Sequence, residues 1–139
     1  MKKFLILITL ILGMGSVMAQ NAGTKNLTLI TGATTTDSIR ITQDLTPVAL
    51  YSDSMHVKTS ATFQASFGNA LTRTWYTVAA IGDTTAYTVP LPRNTNVLIP
   101  LTTGTFTGLV GRATNEAIWL RIKLADAQTL NKVFKLIMK

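Results

Sequence analysis

The feature that most constrains this chain is a strict alternation of side chains between residues 55 and 67. The odd positions are Met55, Val57, Thr59, Ala61, Phe63, Ala65 and Phe67, and the even positions are His56, Lys58, Ser60, Thr62, Gln64 and Ser66. Successive side chains of a β-strand point to opposite faces, so this period predicts a strand with one face in the core and the other in water. A helix repeats about every 3.6 residues and does not fit the pattern.

Shorter segments of the same kind run along the rest of the chain and are separated by turn-forming residues. The further predicted strands cover residues 27–31, 38–42, 48–51, 72–81, 86–91, 97–101, 117–124 and 132–138. Gly32, Gly82 and Pro92 are among the residues that mark the breaks. This spacing predicts an all-β fold: a single antiparallel β-sandwich or jelly roll of about eight or nine strands. We expect no helix, and we expect residues 125–130 to join the last two strands as a hairpin.

The first 19 residues predict a secretory signal peptide. Lys2 and Lys3 precede an apolar run from Phe4 to Leu12, and small side chains close the segment at Ala19. The run is shorter than the roughly 20 residues that a membrane-spanning helix needs. We therefore expect a signal peptide at 1–19 and a β-sandwich domain at 20–139. The domain is expected in the periplasm, on the outer surface or secreted, with no transmembrane segment after the leader is removed.

The absence of cysteine and the positive net charge limit the kinds of site and partner that this chain can have. The chain has no Cys, which rules out thiol catalysis, cysteine-based metal sites and a lipid anchor on cysteine. Packing must therefore stabilise an exported fold without disulfides. The net charge is +7, and loss of Lys2 and Lys3 with the leader would reduce it to about +5. These cations do not cluster in a run, so we expect no nucleic-acid partner, and an acidic glycan is the better candidate polyanion.

Few residues are suited to catalysis. His56 is the single histidine, and Ser54 and Asp53 precede it closely. On an extended strand, however, Ser54 and His56 would lie roughly 7 Å apart, too far for direct proton transfer. The sequence also contains no zinc spacing, calcium loop or phosphate-binding glycine motif. We therefore predict a non-enzymatic protein without cofactors or metals, and a small hydrolase centred on His56 is the third hypothesis.

The last two predicted strands offer the candidate binding surface. Their core sets are Ile118, Leu120, Ile122 and Leu124, followed by Phe134, Leu136 and Met138. This assignment leaves Trp119 outward with Arg121, Lys123 and Lys135, where an indole beside cations would stack on a sugar or dock a partner chain. The alternative is that Trp119 covers a neighbouring strand, since tryptophan is highly buried on average.

Three Asp-Ser or Asp-Thr pairs, at Asp37, Asp53 and Asp83, precede candidate modification sites. They resemble the Asp-Ser/Thr-apolar acceptor of the general O-glycosylation found in one Gram-negative phylum, and the leader ending Ala-Gln-Asn resembles leaders from that phylum. The resemblance implies Ser38, Ser54 and Thr84 as the acceptor hydroxyls. The alternative is that each pair opens a turn by bonding its own backbone.

The C-terminal half resembles small virion accessory proteins of tailed phages. The order that carries the likeness is Trp75-Tyr76-Thr77-Val78, Tyr87-Thr88-Val89-Pro90, Asn96 to Leu101, Phe106-Thr107-Gly108-Leu109 and Ile118 to Ile122. This resemblance implies a β-sandwich that binds other protein subunits and has no catalytic activity. The end of the chain, from Trp119 to Lys139, is also similar to the basic C-terminal signal of type IX secretion cargo.

These observations favour a secreted, non-enzymatic β-sandwich that is a structural or adhesive surface protein and contacts proteins, including copies of itself. We expect edge strands to carry the contact, because an unpaired edge presents free N–H and C=O groups. Residues 27–30 and 133–138 are the predicted edges. The alternatives are a glycan-binding module that uses Trp119, a phage virion accessory protein and the small hydrolase.

Overall fold

The fold was analysed in a computed structural model, which describes residues 23–41, 45–67, 73–112 and 117–139. Within residues 108–112 only the backbone is described. All of these residues belong to the predicted sandwich domain, and the predicted signal peptide at 1–19 lies outside the described residues.

The described residues form strands joined by short connections, with one helix between the seventh and eighth strands. The strands are β1 (Gly23–Leu29), β2 (Ile39–Ile41), β3 (Pro47–Ser52), β4 (Thr59–Phe67), β5 (Trp75–Thr77), β6 (Thr88–Leu91), β7 (Val97–Pro100), β8 (Ile118–Leu124) and β9 (Lys132–Met138), and the helix is α1 (Thr103–Arg112). The strands pair into two antiparallel sheets. One has the order β1-β9-β3-β7, and the other has the order β2-β8-β4-β5 with β6 also on β4. The predicted all-β sandwich is confirmed.

Alternation along the central strands determines which side chains fill the space between the sheets. On β4, Thr59, Ala61, Phe63 and Ala65 are buried. Both core sets predicted for the last two strands are buried as well: Ile118, Leu120, Ile122, Leu124, Phe134, Leu136 and Met138. Period two therefore identified the core face of these strands correctly.

The strand predicted to begin at residue 55 begins instead at Thr59. Met55 is buried and forms an isolated bridge with Arg93, whereas Val57 is 42% exposed. The backbone N–H groups of His56 and Val57 donate to the side-chain oxygen of Gln128, at 3.0 and 3.2 Å. These residues bond to a glutamine side chain instead of a neighbouring strand, so the alternation before Thr59 is not that of a strand.

The connection from β8 to β9 is not the predicted hairpin. β8 belongs to the five-stranded sheet and β9 to the four-stranded sheet, so residues 125–131 carry the chain across the sandwich. Gln128 is 1% exposed at the centre of this connection, and its backbone oxygen accepts the N–H of Gly32 at 2.9 Å. Its side chain thus fixes the crossing segment to the loop before β4.

Replacing Gln128 by alanine is expected to lower the free energy of unfolding by about 1–3 kcal/mol, because the N–H groups of the loop lose their acceptor. Thr129 lies in the same connection and is exposed, so Thr129→Ala serves as the control and is expected to change stability by less than about 0.5 kcal/mol. Urea unfolding of both variants measures the difference. Equal effects would mean that the Gln128 bonds do not stabilise the crossing.

The helix α1 was not predicted. Its residues are rich in threonine and glycine, which are poor helix formers. Phe106 nevertheless projects into the core with 0% exposure, and its ring meets Phe63 edge-on with centroids 5.2 Å apart. Gly104 brings the helix close to Ile81, since a Cβ at that position would lie 2.6 Å from the Ile81 Cδ1. Tertiary packing therefore stabilises a helix that local propensity does not favour.

Only part of the prediction about sheet edges is confirmed. In the described part of the chain, β1 and β7 are the edges of the four-stranded sheet, which agrees with the edge predicted at residues 27–30. The edge predicted at residues 133–138 is wrong, because β9 lies between β1 and β3 and pairs with both. The chain crosses to the other sheet before β9, and β9 enters the middle of the four-stranded sheet.

Candidate binding surfaces

The predicted binding residues divide between the two outer faces of the sandwich. Trp119, Arg121 and Lys123 alternate with the buried residues of β8 and lie on the outer face of the five-stranded sheet. Lys135 alternates with the buried residues of β9 and lies on the outer face of the four-stranded sheet. The structure does not bring Lys135 together with Trp119, because the last two strands belong to different sheets.

Two arginines and two tryptophans form a stacked group on the five-stranded sheet, which we call the arginine–tryptophan cluster (Arg73, Trp75, Trp119 and Arg121). The Arg73 guanidinium carbon lies 3.8 Å from the Trp119 ring centroid. The Arg121 guanidinium carbon lies 4.1 Å from the Trp75 ring centroid. Ser66 of β4 pairs with Trp119 on one side and with Trp75 on the other, so the two stacks cross over the central strand.

Neutral side chains are the hydrogen-bond partners of both guanidinium groups. Arg73 Nη1 donates to Ser38 Oγ at 3.1 Å, and Arg121 Nε donates to Gln64 Oε1 at 2.9 Å. Burial alone lowers the pKa of Arg121 from its ordinary value, and no carboxylate of the described residues acts against that shift. Arg121 remains a cation, because the ordinary guanidinium pKa is far above neutral pH.

The cluster covers polar residues that the alternation placed in water. Gln64 is 8% exposed and Ser66 is 0% exposed, so the prediction of a solvated even face is wrong at these two positions. Among the described residues, the buried Ser66 Oγ, Arg73 Nε and Trp119 Nε1 have no hydrogen-bond partner. Buried polar groups are normally paired, and two of these three atoms, Arg73 Nε and Trp119 Nε1, are N–H donors.

Sequence reasoning found Trp119 and Arg121 but missed Arg73, Trp75, Gln64 and Ser66 as parts of one site. Trp119 lies on the outer face, as predicted, but it is half-buried. Its neighbour on β4 is Ser66, which agrees in part with the alternative that the indole covers a neighbouring strand. Period two places Arg73 and Trp75 on one side of an extended chain. Which strand they would lie beside depends on the register of β5 against β4, and the period does not contain that information.

Arg73 and Trp119 are expected to be energetically coupled. A double-mutant cycle with Arg73→Gln and Trp119→Leu is expected to give a coupling energy of about 1 kcal/mol, between the values for exposed and fully desolvated cation–π pairs. Arg40 also faces Trp119, in register on β2, but it is exposed, and the Arg40→Gln cycle is expected to give less than about 0.5 kcal/mol. Equal coupling in both cycles would contradict the stacking geometry.

The other outer face carries an open apolar groove, which we call the apolar face. Its lining residues come from all four strands of the four-stranded sheet: Thr24, Tyr51, Leu98, Lys135 and Ile137. The groove encloses about 290 Å³. Asn26, Lys135, Tyr51 and Leu98 lie side by side in one cross-strand row. The Lys135 ammonium lies 5.5 Å from the Tyr51 ring centroid, so the cation is held against an aromatic ring inside the groove.

Leu98 is the most exposed large apolar side chain of this groove, at 62%. In a second cross-strand row, Ala49 lies between Ile137 and Pro100. Leu98 and Pro100 are exposed, and Tyr51 and Ile137 are half-buried beside them. An apolar surface of this kind, with polar residues at the rim on β1, is typical of a protein-contact surface.

Three edge strands, β1, β6 and β7, carry features that discourage strand addition. Pro90 on β6 and Pro100 on β7 are exposed positions that lack an N–H group. On β1, the Thr28 N–H donates to Asp37 Oδ1 at 2.6 Å, and the Thr28 carbonyl accepts the Asp37 N–H at 3.0 Å. Lys25 is exposed on the same strand. Proline, lysine and a covering loop are the usual means by which proteins discourage strand addition at an edge.

Among the described residues, no hydrogen bond joins the side chains of Asp53, Ser54 and His56. Residues 53–58 are a loop, His56 is exposed, and Ser54 is held through its backbone. The Ser54 N–H donates to Asn96 Oδ1, and the Lys132 ammonium donates to the Ser54 carbonyl. Among the described residues there is also no group of three or more His, Asp or Glu side chains that could hold a metal ion.

The three candidate modification hydroxyls differ in their accessibility. Ser38 is half-buried and accepts the Arg73 bond, and Ser54 is half-buried as well, whereas Thr84 is exposed. Asp83 forms the turn that presents Thr84, because its carboxylate accepts the N–H groups of Thr84 and Thr85. The hydroxyl and N–H groups of Thr85, followed by the N–H of Thr84, lower the pKa of Asp83 by stabilising its charged form.

Within the ranges that the structure describes, no helix is long and apolar enough to cross a membrane. No protein-family model matches the chain, and no curated protein matches it.

Proposed function

We propose that this chain is an extracytoplasmic, non-enzymatic β-sandwich that acts as a structural or adhesive protein by contact between its own copies. The contact surface in this proposal is the apolar face of the four-stranded sheet. This differs from the edge-to-edge contact expected from the sequence, because Pro90, Pro100 and the Asp37 cap on Thr28 make the edges poor templates for strand addition.

The observation that carries the proposal is the exposure of Leu98 beside Tyr51 and Ile137 in one groove that spans the sheet. A second sheet packs on such a face at about 10 Å, as the two sheets of a sandwich pack on each other. Lys135 is the charged member of the groove lining, and its ammonium lies against the Tyr51 ring of its own chain. Two copies would therefore bring few charges into the contact.

The size of the face supports a contact between copies. Four strands with the usual spacing and rise give a projected area of roughly 400 Å². Side chains that project from the sheet make the accessible area larger than this projected area. The accessible area of the face is therefore of the order of the ~800 Å² per partner that a standard interface buries. The resemblance of the C-terminal half to virion accessory proteins supports the same class of function, since those proteins bind other subunits.

The test is the molar mass of residues 20–139 by size-exclusion chromatography with light scattering, over a range of concentrations. We expect the unaltered chain to form a dimer or larger species, and we expect Leu98→Lys to be monomeric because it places a second cation in the groove. Leu130 is 53% exposed and lies in the connection before β9, so Leu130→Lys is the matched control and should behave like the unaltered chain. A monomer at all concentrations would contradict the proposal.

For O-glycosylation, accessibility favours Thr84 over Ser38 and Ser54, so we propose Thr84 as the acceptor. An intact-mass measurement of the chain from its native host should show added sugar that Thr84→Ala removes. Sugar that persists in Thr84→Ala and is lost in Ser38→Ala would contradict this choice.

A further inference from the structure

We propose that the arginine–tryptophan cluster binds an acidic polysaccharide. This inference does not depend on contact between copies, since the cluster and the apolar face lie on opposite sides of the sandwich.

The charge of the cluster is not balanced by its hydrogen-bond partners. Arg73 bonds to Ser38 and Arg121 to Gln64, and both partners are neutral. Arg40 and Lys123 extend the cationic surface on the same face, and both are exposed. A partly buried guanidinium gains more from a charged acceptor than from a neutral one, because charge-assisted hydrogen bonds are about twice as strong.

The unpaired atoms of the cluster, each of which is buried, leave it with a surplus of hydrogen-bond donors. Ser66 has 0% exposure, and its hydroxyl lies between the two indoles without a partner among the described residues. Arg73 Nε and Trp119 Nε1 are both N–H donors without an acceptor in the same part of the chain. A carboxylate or sulfate supplies only acceptors, which complements a group with this surplus of donors.

The arrangement of the two stacks favours a polysaccharide over a nucleic acid. Trp119 and Trp75 lie on either side of β4, so the backbones that carry the two stacked indoles are about two strand spacings, or roughly 10 Å, apart. A linear acidic polysaccharide presents its charges at intervals along the chain and can reach both groups. Stacking by a nucleic-acid base requires an open aromatic face, and each indole has one face covered by an arginine.

The test uses the intrinsic fluorescence of the unaltered chain. Trp75 and Trp119 are the two tryptophans of the sequence, so all indole emission comes from the cluster. Titration with polygalacturonate, which carries carboxylates, and with dextran sulfate should give a saturable change in emission, and neutral dextran should give none. No change with either acidic polymer would overturn the proposal, as would an equal response to a single-stranded oligonucleotide.

A matched pair of charge variants separates the site from general electrostatic attraction. Replacing Arg73 and Arg121 together by glutamine should weaken binding of the acidic polysaccharide at least about tenfold. Lys25 and Lys58 are exposed away from the cluster, so replacing both by glutamine removes the same charge and should weaken binding less than about twofold. Equal losses in the two double variants would overturn the assignment to the cluster. Should the arginine variant fail to fold, the fluorescence titration of the unaltered chain still decides.

Discussion

Ile122→Asp is expected to abolish stable folding. Ile122 has 0% exposure in the core on β8, and an aspartate there would place a carboxylate among apolar side chains without a partner. The combined loss of apolar burial and cost of desolvation exceeds about 5 kcal/mol, which is comparable with the whole stability of a small domain. Far-UV circular dichroism and urea unfolding of the purified variant measure the effect.

The neighbouring residue provides the control for Ile122→Asp. Lys123 is exposed on the opposite face of the same strand, so Lys123→Asp is expected to change stability by less than about 1 kcal/mol. A conservative Ile122→Val variant, which should fold, is expected to lose about 0.5–1.5 kcal/mol. A loss for Lys123→Asp as large as that for Ile122→Asp would contradict the orientation of β8.

Phe106→Ala is expected to lower the free energy of unfolding by about 3–5 kcal/mol, the range for removal of a buried aromatic ring. The Phe106 ring packs edge-on against Phe63 at 5.2 Å and against Tyr87 at 5.9 Å. The Tyr87 hydroxyl accepts the Thr102 N–H just before α1, at 2.9 Å. Losing the Phe106 ring therefore removes the main anchor of the helix as well as core volume.

Urea unfolding measures the effect of Phe106→Ala, and near-ultraviolet circular dichroism reports the loss of aromatic packing. Tyr76 is an aromatic residue with 57% exposure, so Tyr76→Ala is the control and is expected to cost less than about 1 kcal/mol. A loss below about 1 kcal/mol for Phe106→Ala would mean that α1 does not close on the core.

The buried faces of β4 and β8 can be predicted from the sequence, whereas the helix α1 cannot. Alternation identifies the buried side of Phe63 and Ile122 because the period of a strand depends only on its own backbone. The helix at Phe106 has no such local signal, since its threonines and glycines disfavour helix formation. It forms because Phe106 enters an aromatic group contributed by residues distant in sequence, which local propensity does not describe.

The arginine–tryptophan cluster could be predicted only in part, because the period of a strand does not contain the order of its neighbours. The outward position of Trp119 follows from period two, but its stacking with Arg73 depends on which strands are neighbours. The terminal hairpin placed Lys135 beside Trp119, and the crossing at Gln128 places it on the other sheet instead. Period fixes the side on which a residue lies, whereas strand order and register fix its neighbours.

The most direct test of contact through the apolar face is thiol cross-linking at Leu98, since the chain has no native cysteine. Leu98→Cys, treated with a short bismaleimide, should give a covalent dimer at concentrations where light scattering shows association. Leu130→Cys, treated in the same way, should give no covalent dimer. Equal cross-linking of the two variants, or none at Leu98, would contradict contact through this face.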